Sequence, residues 1–380
     1  MSRKIVGTHE MHAIDGTRSA AVVRTVRQTS PVLADALTDY AFGEIFARAE
    51  LGRRERELVT CGILAAIGGA ETQLRVHISA ALRTGVDPDE LIALCEHLTP
   101  YAGFPRALNA LSEARAILRK QKAARPNPPK KVQLSDHETI VSDTGKGEPL
   151  VLLHAIGLDW RMWRDAIMPL AKNRRVIAYD LRGHGYAAPA PKPLSVKRWA
   201  EDLLHLADHL KLEKFHLAGL SMGGTVALEF ALAHQDRLKS LNVVATSVHG
   251  SKEAFLQRAQ DSEKQGMEAQ VPATLVRWFT PEWLATNGWA VRYARERILR
   301  AMTENWAGAW RAIAEPHLFE RLQEIKVTTR LIAADLDKSA TLDSMREMAK
   351  KIQKAKLQVI EGASHMVSLM KPLELAEALG

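Results

Sequence analysis

Two cysteines in 380 residues, Cys61 and Cys95, leave little room for thiol chemistry. They stand far apart and form no Cys-x-x-Cys pair, which excludes the common dithiol redox motif and the paired-cysteine zinc sites. Both read as buried, reduced core residues. Long apolar runs are also missing: none approaches the roughly 20 residues that a membrane-spanning helix needs. The first residues, Met1 to Asp15, are charged and lack the apolar core of a secretory signal, so a cytoplasmic location is expected and no membrane partner. No internal repeat or low-complexity tract stands out. Acid is in deficit, the formal charge being +8. The densest basic cluster, Arg119, Lys120, Lys122, Arg125, Lys130 and Lys131, surrounds Pro126, Pro128 and Pro129. That composition fits a solvated, semi-rigid linker, and no nucleic-acid recognition motif accompanies it. The remaining use of excess positive charge is to attract small anionic substrates. At 46% hydrophobic and 25% charged residues, the chain can bury a large core.

The pattern changes once along the chain. Residues 1 to about 30 have weak periodicity and are expected to fray. From Leu33 to Leu118 the spacing is helical: Leu58, Cys61, Ile63, Leu64 and Ile67 recur on one helix, and Val76, Ala80, Ala81 and Leu82 begin another. Gly85 stops that helix, Asp87-Pro88-Asp89-Glu90 starts the next, and Leu91, Leu94, Cys95 and Leu98 continue it. An all-helical domain over 1–118 and a basic, proline-rich linker over 119–131 are expected. Over 132–380, strands alternate with amphipathic helices. Strands are expected at Glu138–Ser142, Pro149–His154, Arg175–Tyr179, Phe215–Ala218, Leu241–Ala245, Thr329–Ala333 and Leu357–Ile360. A tryptophan-rich helical cap interrupts them over about 251–322. Such alternation predicts an α/β domain with a parallel sheet covered on both faces.

Gly219-Leu220-Ser221-Met222-Gly223-Gly224 follows the strand ending at Ala218 and opens a helix. This is the context of a nucleophile elbow, a turn so tight that glycine is needed on both sides of the serine. Serine is a weak nucleophile at neutral pH and needs a base. His365, in Gly362-Ala363-Ser364-His365 after the last strand, is the candidate. An acid must orient the imidazole, and Asp337 and Asp335 both follow the strand Thr329–Ala333; Asp337 is favoured and Asp335 stays open. Oxyanion donors are expected from the backbone N–H groups of Met222 and of Ile156, the latter in the loop after His154. His154 and the loop Asp180 to Gly185 read as structural.

Together Leu152-Leu153-His154, Asp180-Leu181-Arg182-Gly183-His184-Gly185, the Ser221 elbow and Gly362-Ala363-Ser364-His365 resemble the α/β-hydrolase superfamily across Val132 to Gly380. Ala155 and Ala187 depart from its usual glycine and serine. Within the superfamily, Arg277-Trp278-Phe279-Thr280-Pro281 and Trp306-Ala307-Gly308-Ala309-Trp310 resemble the cap of 3-oxoadipate enol-lactonases. That resemblance implies a small anionic lactone as substrate, its carboxylate met by Arg277, Arg297 or Arg300 and its pocket walled by Trp278 and Trp306. A general carboxylesterase or another lactonase is the alternative it leaves.

The helical domain is similar to the carboxymuconolactone decarboxylase family over Tyr40 to Leu118. The carrying residues are Arg53-Arg54-Glu55-Arg56-Glu57-Leu58-Val59-Thr60, Leu74-Arg75-Val76-His77, Ala80-Ala81-Leu82 and Tyr101-Ala102-Gly103-Phe104-Pro105. The resemblance implies decarboxylation of 4-carboxymuconolactone without cofactor or metal, with His77 as proton donor. Glu57 is a weaker candidate, since it lies in a charged run that a solvated helix face would also explain. It also implies a homo-oligomer formed through this domain, either as an active enzyme or as a non-catalytic oligomerisation module. The two implied activities are consecutive steps of the β-ketoadipate route of aromatic catabolism, so a bifunctional enzyme is expected.

Overall fold

The side chain of Ser2 accepts the N–H of Ile5 and opens a helix that Gly16, at φ +61°, brings to an end. The computed structural model describes residues 2–120, 125–248, 252–315, 317–353 and 355–380, in two compact units, Met1–Ala124 and Arg125–Gly380. Among the described residues no helix is long and apolar enough to cross a membrane.

The first unit consists of α1 (Arg3–Asp15), α2 (Arg18–Thr29), α3 (Pro31–Asp35), a π-helix (Ala36–Phe46), α4 (Arg53–Ile67), α5 (Glu71–Arg83), α6 (Pro88–His97) and α7 (Thr99–Lys120). The first 30 residues are therefore helical where fraying is expected from their sequence. Their apolar signal is weak because α1 buries a narrow face of Gly7, Met11 and Ile14. Glycine is what lets that face approach the π-helix: a Cβ on Gly7 would lie 1.8 Å from the Thr38 carbonyl oxygen. The start of α6 follows its sequence signal, Asp87 and Glu90 forming a capping box with Pro88 in the first turn. The α7 path breaks at Gly103 (φ +79°), just before Pro105. Cys61, Leu74, Ile78, Leu91 and Cys95 lie in the core between α4, α5 and α6. Burial pushes the thiols of Cys61 and Cys95 up, to about 12 and about 11, so both stay protonated and inert.

The second unit is built on one sheet of β1 (Lys130–Gln133), β2 (Glu138–Gly145), β3 (Glu148–Leu153), β4 (Arg174–Tyr179), β5 (Phe215–Leu220), β6 (Leu238–Val244), β7 (Thr329–Ala334) and β8 (Ala355–Ile360). Their order is β1-β2-β4-β3-β5-β6-β7-β8, antiparallel at β1/β2 and β2/β4 and parallel elsewhere. The last four residues of β3, β4 and β5 are all buried, as strands covered on both faces must be. The ends of the stretch read as a linker are drawn into regular structure, since α7 reaches Lys120 and β1 begins at Lys130. β1 escapes a sequence reading because only Val132 of its residues turns inward. Residues 121–124, with Lys122 of the basic cluster, lie outside the described residues.

Helices α8 (Arg164–Leu170), α9 (Val196–His209) and α10 (Met222–His234) connect the first strands. Between β6 and β7 the cap is inserted: α11 (Lys252–Trp278), interrupted at Gly266, then α12 (Pro281–Thr286), α13 (Trp289–Leu299) and α14 (Thr303–Ala314). Helices α15 (Leu342–Lys351), α16 (Val367–Met370) and α17 (Pro372–Leu379) complete the unit. The chain leaves β3 towards β4 on one side and later adds β5 on the other. This reversal of direction opens a crevice at the carboxyl ends of the strands.

Candidate active site

Ser221 stands at that crevice, between β5 and α10, with φ +55° and ψ −116°. This is a strained backbone for a residue with a side chain, and the surroundings enforce it. A Cβ on Gly219 would lie 2.1 Å from the Gly223 carbonyl oxygen, and one on Gly223 would lie 2.3 Å from that of Leu153. The Ser221 N–H donates to the Val244 carbonyl at 3.0 Å, pinning the turn to β6.

His365 and Ser221 meet across 144 residues of chain, Nε2 lying 2.9 Å from Oγ. The other nitrogen of His365, Nδ1, lies 2.8 Å from Oδ2 of Asp337. The second oxygen of Asp337 accepts the N–H groups of Ser339 and Ala340, so the carboxylate is fixed by the loop that carries it. Of the two acids left open by the sequence, Asp337 is buried and reaches the imidazole. Asp335 is exposed and accepts the Ala363 N–H, tying β7 to the histidine loop. With Nδ1 donating to a carboxylate, the ring offers Nε2 as acceptor to the serine hydroxyl. Met222 is the first residue of α10, where a backbone N–H has no intrahelical acceptor. Ile156 lines the same cavity as Ser221 and Met222.

That cavity, of about 320 Å³, is roofed by the cap, Trp278, Phe255 and Trp310 among its walls. Of the three arginines offered for a substrate carboxylate, it contains only Arg277. Burial, then the charge of Arg258, push the Arg277 guanidinium down to about 10, leaving it cationic at neutral pH. Arg297 is elsewhere: it pairs with Asp159 at 3.0 Å and lines a smaller cavity of about 110 Å³. Arg300 pairs with Glu296 at 3.1 Å on the surface. Trp306 also differs from its expected place. It lines the smaller cavity and lies against the loop after β3, where a Cβ on Gly157 would come within 2.2 Å of its ring. It stands behind Trp278, the ring centroids 6.5 Å apart.

The cap is tied to the site at two points. The Met366 N–H, next to His365, donates to the Trp278 carbonyl at 3.2 Å. Asp159, in the loop beyond Ile156, accepts the Tyr293 hydroxyl of α13 at 2.9 Å and pairs with Arg161 and Arg297. Burial pushes the Asp159 carboxyl up, but the guanidiniums outweigh it and hold it down at about 2. His154 is structural, as read: burial pushes it down to about 4, and the neutral ring bridges the Ala155 carbonyl and the Leu181 N–H.

In the helical unit, α4 and α5 bring Glu57 and His77 together. His77 Nδ1 lies 2.8 Å from Glu57 Oε2. Glu57 is not on a solvated face: its side chain is fully buried, and its Oε1 has no hydrogen-bond partner among the described residues. His77 keeps 23% of its side chain exposed. A buried acid holding one nitrogen of a half-open histidine leaves the other nitrogen for proton transfer. The sequence hint for Glu57 was only that α4 turns Glu57, Cys61 and Ala65 to one side, at helical spacing. Arg258 and Asp159 were missed altogether, since nothing local distinguishes an arginine with an acid partner from one without.

Known proteins agree with this division of the chain. Residues 148–372 match the family model described as alpha/beta hydrolase fold, and residues 31–116 that of the carboxymuconolactone decarboxylase family. Over 224 residues the chain is 29% identical to 3-oxoadipate enol-lactonase 1 of Acinetobacter baylyi, covering 59% of this chain and 84% of that one. An enol-lactonase structure from Burkholderia xenovorans LB400 superposes with a TM-score of 0.63 at 28% identity, covering 66% of this chain and 98% of the other. A thermophilic esterase from Thermogutta terrifontis gives 0.62 at 28% identity, with 67% and 97% covered. With more than half of its residues matched by that family's model, the chain belongs to the alpha/beta hydrolase fold family and carries a carboxymuconolactone decarboxylase-family domain before the hydrolase domain.

Proposed function

We propose that the Arg125–Gly380 unit hydrolyses a carboxylate-bearing lactone of the 3-oxoadipate enol-lactone type, with Ser221 as nucleophile. The observation that carries this reading is the unbroken line Asp337–His365–Ser221 opening into a cavity that holds Arg277. Ser221 Oγ passes its proton to His365 Nε2 as it attacks the lactone carbonyl, and Asp337 stabilises the imidazolium. The oxyanion is met by the N–H groups of Met222 and Ile156, each donor worth roughly 10²–10³ in rate. When the adduct collapses, the ring C–O bond breaks. The enol oxygen, still tethered to the acyl chain, takes the proton from His365 and ketonises. Water activated by His365 then attacks the acyl carbonyl, releasing 3-oxoadipate and restoring Ser221.

The helical unit, in the same reading, decarboxylates 4-carboxymuconolactone without a cofactor. The C–C bond to the carboxylate breaks, carbon dioxide leaves, and the electron pair enters the conjugated lactone as a dienolate. His77, oriented by Glu57, supplies the proton that completes the enol-lactone. Self-association through this unit is supported by Val59, Ile63 and Ile67, exposed at 53%, 53% and 62% along one side of α4.

The test supplies 4-carboxymuconolactone to the full chain and follows carbon dioxide and 3-oxoadipate separately. Both products are expected from wild type, and Ser221→Ala should stop at the enol-lactone. A second reading, a broader carboxylesterase on a non-catalytic helical scaffold, is favoured by the equal likeness to the Thermogutta esterase and by the apolar side of α4. It prevails if no carbon dioxide forms and simple esters are turned over faster than the enol-lactone.

A further inference from the structure

Several cap arginines are neutralised by carboxylates. Arg297 pairs with Asp159, Arg300 with Glu296, and Arg311 with both oxygens of Glu263 at 2.7 and 2.6 Å. Two others, Arg258 and Arg277, line the Ser221 cavity. Among the described residues, Arg277 reaches only the neutral hydroxyl of Thr274, at 3.0 Å. Arg258 is held by aromatic faces, its guanidinium carbon 4.8 Å from the Trp310 centroid and 5.6 Å from that of Phe255. Those two rings stack on each other at 5.5 Å, so they form one platform. A cation–π contact orients a guanidinium and leaves its charge uncancelled.

The cavity repeats this imbalance as a whole. Its lining includes Lys252, Arg258, Arg277 and Lys338, and among the described residues that line it there is no carboxylate. Both arginines are half-buried: burial pushes each guanidinium down, and the charge of Arg258 adds to the effect on Arg277. Like charges that feel each other in a half-buried site repel, and an anion placed between them removes the repulsion. Among the described lining residues none supplies that anion, which leaves the place for a ligand's.

We infer that Arg258 and Arg277 form a two-guanidinium clamp for a carboxylate at the end of the substrate remote from the scissile carbonyl, with Arg258 as a specificity-determining residue. The inference rests on the proposed Ser221 hydrolysis and narrows its substrate to acyl groups that end in an anion. A planar carboxylate offers two oxygens, one for each guanidinium, and the forked donors of arginine suit it better than lysine. The exposed Lys252 and Lys338 add a field that draws anions toward the opening. Trp310 and Phe255 set where the carboxylate stops, and hence the chain length that leaves the carbonyl at Ser221.

The experiment compares two esters that differ only at the remote end, mono(4-nitrophenyl) glutarate and 4-nitrophenyl pentanoate, on the full chain. Wild type is expected to favour the glutarate ester in kcat/KM. Arg258→Met should lower the ratio of the two kcat/KM values by about 30-fold, chiefly through KM for the glutarate ester. Arg258→Lys should restore part of it. An unchanged ratio in Arg258→Met, or a wild type indifferent to the carboxylate, overturns the clamp. Calorimetric titration with free glutarate reads the clamp without turnover: a loss of affinity of about 30-fold in Arg258→Met is expected, and equal affinity overturns it. Ser221→Ala separates the two claims. If that variant still cleaves both esters at the wild-type rate, the hydrolase reading fails, whereas the glutarate titration still judges the clamp.

Discussion

In the sheet unit, acid, base and hydroxyl arrive on three loops at the ends of β7, β8 and β5, and meet at the edge of a cavity. In the helical unit, an acid and a base meet side by side between α4 and α5. The architectures explain the contrast. Loops beyond parallel strands converge from distant parts of the chain and point into open space. Packed helices bring together residues on facing sides and bury what lies between them, which is why Glu57 is fully enclosed while His77 stays partly open. One arrangement suits covalent chemistry, the other proton transfer.

The sharpest way to break this comparison is to remove one site and measure the other. Ser221→Ala should lower lactone hydrolysis by about 10⁴-fold or more and leave carbon dioxide release at its wild-type rate. A matching loss of both activities would mean that the two units do not act separately. The reciprocal change is smaller. His77→Gln should lower carbon dioxide release by roughly 10²–10⁴-fold, the usual worth of a general acid, while supplied enol-lactone is opened as before. Glu57→Gln should act in the same direction. A scaffold role for the helical unit would leave carbon dioxide release at the same background level in every variant.

The difference between the sites also decides what the sequence could tell. The Ser221 elbow is legible because its requirements are local: a strand, a turn too tight for side chains at Gly219 and Gly223, and a helix. The place of His365 follows from chain order, and the choice between Asp337 and Asp335 turns on which loop residue faces inward, which needs coordinates. Glu57 was hidden for a different reason. Its neighbours Arg53, Arg54, Glu55 and Arg56 make the segment look like a solvated face, and only the packing of α5 against α4 reveals that one of these charges turns inside. Helices α1 and α2 are hard to read because α1 buries only Gly7, Met11 and Ile14 and α2 only Ser19, too narrow a stripe for an apolar signal. Charge pairing was illegible throughout: nothing near Arg258, Arg277 or Arg297 in sequence says which finds an acid.

Asp159 offers a prediction of intermediate size. Its buried carboxylate joins the loop beyond Ile156 to Tyr293 and Arg297 of the cap. Asp159→Ala leaves Arg297 uncompensated and should destabilise the fold by about 3–5 kcal/mol, the usual cost of breaking a buried pair from one side. Thermal unfolding measures this. The depressed carboxyl also sets a sign: the stability that Asp159 contributes is complete above the ordinary carboxylate range near pH 4 and is lost as pH falls toward about 2. The gap in melting temperature between wild type and Asp159→Ala should therefore narrow as the medium is acidified from pH 5 to pH 3. A gap that stays constant over this range would mean that the contribution is one of packing.

The smallest expected effect is the one that most sharpens the comparison within the cap. Arg277 and Arg300 are both cap arginines, and the sequence offers each as a partner for a substrate carboxylate. Only Arg277 lines the cavity with Ser221; Arg300 is exposed and paired with Glu296 one helical turn away. An exposed pair at this spacing contributes about 0.3–0.5 kcal/mol. Arg300→Ala should thus change kcat/KM for a carboxylate-bearing ester by less than about two-fold and stability by less than about 0.5 kcal/mol. Arg277→Ala, measured on the same ester, should raise KM by about ten-fold or more, because a charge-assisted hydrogen bond is lost in a half-buried site. If the two variants behave alike, the carboxylate is not read inside this cavity, and excess positive charge on the cap acts only by long-range attraction. Salt separates those cases: attraction between exposed charges fades as ionic strength rises from about 0.01 to 0.5 M, whereas a contact with Arg277 inside the cavity persists.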